Sequence, residues 1–189
     1  MLALSVLQTR FSVAEVFAMR VDGESWPVGS ADVVIDVPID THARIAVINS
    51  ELPDGLVVMG VAAAWVWGCM PAIPDKRDVA RADGLRLGTT LPQHFRIRDV
   101  FWTDGDIVTT NAGAVTSIPR TMLDIARYET RLSEREILRV LCDLNQLLPC
   151  SREDALQRLH ATAHLPYKSR ALERLAKAQN PATYPSLTR

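Results

Sequence analysis

The chain has 189 residues, of which 48% are hydrophobic and 23% charged, and its net charge is −1. That make-up belongs to a packed globular protein and excludes a disordered tail, a collagen-like fibre and a coiled-coil rod. Three cysteines, Cys69, Cys142 and Cys150, form no Cys-x-x-Cys and cannot all pair, which argues against a zinc ribbon or a disulfide framework and for a reducing, cytoplasmic compartment.

The near-zero total conceals a gradient. Residues 1–60 sum to −5, residues 61–150 balance, and residues 151–189 sum to +4. An anionic partner is therefore expected near the C-terminal end rather than over the whole surface.

Ser12 can cap a first helix along which Val13, Val16 and Phe17 recur at helical spacing, and Val21-Asp22-Gly23-Glu24 breaks it. Two extended runs, Ser25 to Val28 and Asp32 to Val37, meet at Gly29-Ser30. Helix, turn and hairpin in this order resemble the second half of a winged helix. Because 11 residues precede Ser12, the lobe is expected to be a truncated one. Asp40 can cap the next helix, with Ile45, Ile48 and Leu52 on one side, and Pro53-Asp54-Gly55 ends it.

The most apolar run, Leu56 to Met70, is 15 residues long, short of the roughly 20 that cross a bilayer. It reads as a core segment, with Gly60 to Gly68 as a short helix that must be covered on most sides. Arg10 and Glu15 interrupt any export signal at the N-terminus. From Lys76 to Thr116 the apolar residues alternate: Leu85 and Leu87, Phe95 and Ile97, Ile107 to Thr110, then Ala114 to Thr116. This predicts an antiparallel sheet of three to five strands.

The last third is helical. Ser117 can cap a helix with Pro119 in its first turn and Ile118, Met122, Ile125 and Ala126 on one face. Ser133-Glu134-Arg135-Glu136 is a capping box for a second helix, Ser151 opens a third, and Lys168 to Gln179 forms a fourth. The fold class is thus α+β, with a winged-helix-like lobe over residues 1–55 and an α+β domain over 56–189 whose small sheet packs with the C-terminal helices.

Constellations that could carry chemistry are few. His160 and His164 share a helix face at the spacing of a zinc pair, but no third ligand accompanies them, so no metal is expected. Asp104-Gly105-Asp106 between apolar strands is first a turn. Gly29-Ser30 followed by Asp32, Asp36 and Asp40 lacks the paired carboxylates that two-metal nucleotidyl transfer needs. No phosphate loop, dinucleotide fingerprint or nucleophile elbow is present, so no catalytic residue and no cofactor is assigned. Arg10, Ser12 and Arg20 stand where a winged helix contacts phosphate. Arg170, Arg174 and Lys177 recur at helical spacing and form a basic stripe, the candidate contact for a protein partner.

The string Gly113-Ala-Val-Thr-Ser-Ile-Pro-Arg-Thr-Met-Leu-Asp-Ile-Ala-Arg127 resembles a signature of the AbiEi family, the antitoxins of type IV toxin–antitoxin systems, including the MenA-like antitoxins of mycobacteria. That family typically shows Gly-x-x-Val-Thr-Ser-Pro-x-Arg-Thr-Leu-x-Asp-Leu-Ala-Arg. Val21-Asp-Gly-Glu-Ser-Trp-Pro-Val-Gly29 and Val61-Ala-Ala-Ala-Trp-Val-Trp-Gly68 look similar in the expected order. Thr116, Ser117, Arg120, Thr121, Asp124 and Arg127 carry the specific part. They read as a packing signature, with Arg120 and Asp124 paired on the exposed side of the helix.

The resemblance implies an antitoxin that neutralises a cognate nucleotidyltransferase-fold toxin. Two other roles stand beside it: a repressor binding the operator DNA of its own operon, and an enzyme that inactivates the toxin covalently, for example by phosphorylation. No membrane partner is expected.

Overall fold

The computed structural model describes residues 11–29, 31–82 and 91–178. Arg10, Leu85, Leu87, Gln179 and Arg189 lie outside the described residues.

Caps set the first elements. Ser12 accepts from the Glu15 amide while the Glu15 carboxylate accepts from the Ser12 amide, opening α1 (Val13–Val21) with a complete capping box. Gly23, at φ +75°, turns the chain into the hairpin of β1 (Ser25–Val28) and β2 (Ala31–Val34). The second strand ends three residues earlier than the sequence pattern predicts. Asp40 accepts from the Ala43 amide at 2.8 Å and opens α2 (Thr41–Asn49).

The apolar run then splits in two. Leu56–Met59 is β3, buried at every residue, and Gly60–Val66 is α3, also wholly buried. A short continuous apolar run has the same pattern as strand or helix, which is why β3 is invisible in the periodicity. The remaining strands are β4 (Arg77–Arg81), β5 (Phe95–Arg98), β6 (Ile107–Thr110) and β7 (Gly113–Thr116).

Together they form a five-stranded sheet in the order β5-β4-β3-β7-β6. The expectation of an antiparallel sheet is corrected here: β3 pairs antiparallel with β4, and β6 with β7, but β3–β7 and β4–β5 are parallel. Alternation identifies strands without fixing their direction. The unforeseen β3 is the middle strand that joins the two halves.

Four helices follow among the described residues: α4 (Ile118–Tyr128), α5 (Glu134–Leu147), α6 (Ser151–Ala161) and α7 (Lys168–Lys177). The Ser133–Glu136 capping box forms as the sequence predicts. Two apolar cores result. One lies on the sheet and includes Val33, Ile45 and Ile48 beside Val58, Val79 and Val115, so it runs across residue 55. The other lies among the helices, centred on Met122, Leu141, Leu144, Leu159 and Leu175. Helix α3 serves both: Val61 and Ala64 face the helical core, and Ala62, Ala63 and Val66 the sheet core. An all-apolar helix is stable only when enclosed in this way.

Candidate functional site

The signature string occupies the corner where β7 runs into α4, at the junction of the two cores. Thr116 and Thr121 share a hydroxyl hydrogen bond of 2.8 Å, and the Thr116 carbonyl accepts from Thr121 Oγ1 and from the Trp67 indole at 3.0 Å. These bonds lock the last strand residue to the first helical turn and to the end of α3. Ser117 takes the capping position but its hydroxyl makes no cap bond and is buried without a hydrogen-bond partner. Pro119 in the first turn removes one of the amides a cap would serve.

Arg120 and Asp124 pair, but the expectation that they do so on the exposed side is wrong. Arg120 is 7% exposed and Asp124 2%. Arg120 Nε reaches both Asp124 oxygens at 3.0–3.1 Å, and Nη1 reaches Asp106 Oδ2 at 2.7 Å and the Phe101 carbonyl at 3.2 Å. Its guanidinium also stacks over Trp102, 5.1 Å from the ring centre. The loop before β6 thus covers a pair that helical spacing alone would leave in water.

Asp106 is the second anchor of this network and was assigned only to a turn by the sequence. Arg120 and Arg158 hold its two oxygens, and the Thr103 amide and hydroxyl donate to Oδ2 at 2.9 and 3.0 Å. Burial pushes the Asp106 carboxyl up, but the Thr103 amide, Arg120 and Arg158 outweigh it and keep it below the usual range. Burial pushes Asp124 up, opposed by Arg120. The neighbouring Gly105, at φ +78°, makes the predicted turn, and Asp104 is exposed. Nothing in the local sequence points from Asp106 to Arg158, 52 positions later.

Arg127, 6% exposed, donates to the Pro166 carbonyl at 3.1 Å and lies over the Tyr128 ring. Thr116, Arg120, Thr121 and Asp124 therefore tie the corner together, while Arg127 links the end of α4 to the segment before α7.

The basic stripe on α7 needs a larger correction. Arg174 is 5% exposed and donates through Nη1 to the carbonyls of Ala126 and Glu129 at 3.1 and 2.9 Å, while Nε and Nη2 bind Glu134. It finishes the C-terminal end of α4 and ties it to the start of α5. Helical spacing placed it with Arg170 and Lys177, whereas its partners lie on another helix. Arg170 stacks on Tyr167 and Lys177 pairs with Glu173, so the stripe is not a row of three solvated cations.

In the first lobe, Ser12 is engaged as a cap and Arg20 in a two-point bond to Asp32 at 2.5 and 2.8 Å. Asp32 is 1% exposed. Both therefore have internal partners. His160 lies on α6, but His164 lies beyond its end at Ala161, so the two do not share a helix face. Among the described residues no group of three or more His, Cys, Asp and Glu is placed to hold a metal ion, and no helix is long and apolar enough to cross a membrane.

A second charged cluster escaped the sequence reading. Asp78 on β4 accepts from Arg96 at 2.6 and 3.0 Å, Arg98 at 3.1 Å and Arg131 at 2.9 Å. Burial pushes Asp78 up, but these arginines outweigh it and hold its carboxyl below the usual range. The signal was a carboxylate in a short strand, Arg77-Asp78-Val79-Ala80-Arg81, that the structure sets directly opposite Arg96 in the parallel register.

No family model and no curated protein matches the chain. Among solved structures, the crystal structure of the RV2827C protein from Mycobacterium tuberculosis is similar, with a TM-score of 0.50 at 18% sequence identity. The match covers 89% of this chain and 66% of that one. The chain thus shares an α+β fold with that protein over most of its own length and about two-thirds of the other's.

Proposed function

We propose that the protein is a non-catalytic antitoxin that neutralises a nucleotidyltransferase-fold toxin by binding it. The observation that carries this reading is the corner from Thr116 to Arg127. The string behind the family resemblance is a strand-to-helix junction tied by buried hydrogen bonds and ion pairs, which supports kinship of fold and, through it, of role.

Two further observations favour binding over the other roles. Both oxygens of Asp106, the nearest candidate for a phosphoryl-transfer carboxylate, are engaged by Arg120, Arg158 and Thr103, an arrangement suited to structure. In the first lobe Arg20 is engaged by Asp32, while the surrounding segment is acidic, and DNA affinity comes largely from neutralising phosphates.

This reading expects the adjoining reading frame to encode a nucleotidyltransferase-fold protein, and the test is growth of cells expressing it. Co-expression of this chain is expected to restore growth. Continued arrest with the chain present at equal or greater abundance would overturn the proposal.

A further inference from the structure

Helix α1 buries a single residue, Val16. Val13, Phe17 and Val21, spaced at four and four, form one row along its outer side and are 88%, 63% and 72% exposed. Ile35, 58% exposed, lies near the end of this row, because its amide bonds to the Glu24 carbonyl and the Glu24 amide bonds to Met19. A nine-residue helix is marginal by itself in water. Polar ties hold this one: the Ser12–Glu15 box at its start, the Arg20–Asp32 bond to the hairpin, and Glu24 at its end. The helix is therefore fixed in place with its apolar side outward, and contiguous exposed apolar surface of this kind marks interaction sites.

Charge identifies the occupant. Residues 11–40 carry six carboxylates and one cation, Arg20, and that cation is bound to Asp32. Glu15, Asp22, Glu24 and Asp36 are exposed around the apolar row. Such a rim repels phosphate, so nucleic acid and anionic lipid are disfavoured, and a second copy would bring two acidic rims together. It attracts a protein face with an apolar centre and a lysine- and arginine-rich border. An enzyme that handles nucleoside triphosphate and polynucleotide presents that border at the mouth of its active site, where it must bind phosphate.

We infer that the outer side of α1, with Ile35, docks on the basic mouth of the toxin's active site and covers it. This rests on the antitoxin reading above and adds the surface and the mode of inhibition. The helix is ordered before the partner arrives, so little of the binding energy goes into folding it.

The test uses the full chain and the nucleotidyltransferase-fold protein that the antitoxin reading expects in the adjoining frame, with affinity measured by titration calorimetry at low and high salt. One variant carries Val13→Gln, Phe17→Gln and Val21→Gln, which preserves charge and helix propensity. The other carries Asp22→Lys, Glu24→Lys and Asp36→Lys. Melting curves verify that each is folded, and either variant suffices if the other is not.

The glutamine variant is expected to bind at least ~30-fold more weakly. The lysine variant is expected to bind about tenfold more weakly at low salt, with a smaller difference at high salt. If the unaltered chain binds and the folded variants bind as tightly, the surface assignment is wrong while the antitoxin reading stands. A chain that is dimeric until Phe17 is changed, with unchanged affinity for the toxin, likewise overturns it in favour of self-association. If the unaltered chain neither binds nor protects, the antitoxin reading itself falls.

Discussion

Replacing Arg120 by alanine is expected to destabilise the fold by about 3–5 kcal/mol, the cost of removing one member of a buried ion cluster. The loss exceeds that of one exposed pair, worth up to about 1 kcal/mol, because one guanidinium serves two carboxylates and a carbonyl. Without it, Asp124 stands in the core stripped of both Arg120 hydrogen bonds, and Asp106 retains Arg158 and Thr103. For a domain of this size the thermal midpoint is expected to fall by about 6–20 °C, read by circular dichroism. A double variant, Arg120→Met with Asp124→Leu, is expected to lose less than the single change, since it removes both buried charges of the helical pair. A single variant melting within about 1 °C of the parent would contradict the account of this corner.

The second large effect belongs to Arg174. Alanine there is expected to cost about 3 kcal/mol, because carbonyls of Ala126 and Glu129 lose a buried donor, and each unsatisfied group costs about 1–3 kcal/mol. Lysine is expected to restore only part of the loss, since a point charge cannot reproduce the fork that reaches α4 and Glu134 together. Amide exchange should accelerate first in the last turn of α4 and in α7. Alanine at Arg170 or Lys177 serves as the comparison and should leave the midpoint nearly unchanged, because both belong to the helix surface. Equal effects at all three positions would restore the picture of a uniform basic stripe.

These two arginines show where a sequence reading stops. Local signals were legible: the Ser12 and Asp40 caps, the Ser133 box and the enclosed α3 all follow from residues within a few positions of one another. The partner of Arg120 was legible too, being four residues away. Its burial was not, because the cover is Trp102 and Phe101 from a loop, and the second carboxylate lies 14 positions earlier. Arg174 was assigned to a polar face by its helical phase, while its partners are carbonyls 45 and 48 positions away. Strand β3 was hidden because four apolar residues before an apolar helix carry no period, and with it went the parallel pairings that make the sheet mixed. On α1 the helical spacing of Val13, Val16 and Phe17 was legible, but not that Val16 alone of them is buried; which side of a helix meets water is decided by its neighbours.

The central claim is neutralisation by contact, and a single measurement addresses it most directly: size-exclusion chromatography of the purified chain mixed with the nucleotidyltransferase-fold protein that the proposal expects as its partner, followed by intact-mass analysis of each component. The account predicts one co-eluting species, with inhibition of nucleotidyl transfer, in which both polypeptides keep their unmodified masses. Inhibition that persists after the two have been separated, with a phosphoryl or nucleotidyl increment on the toxin, would contradict it.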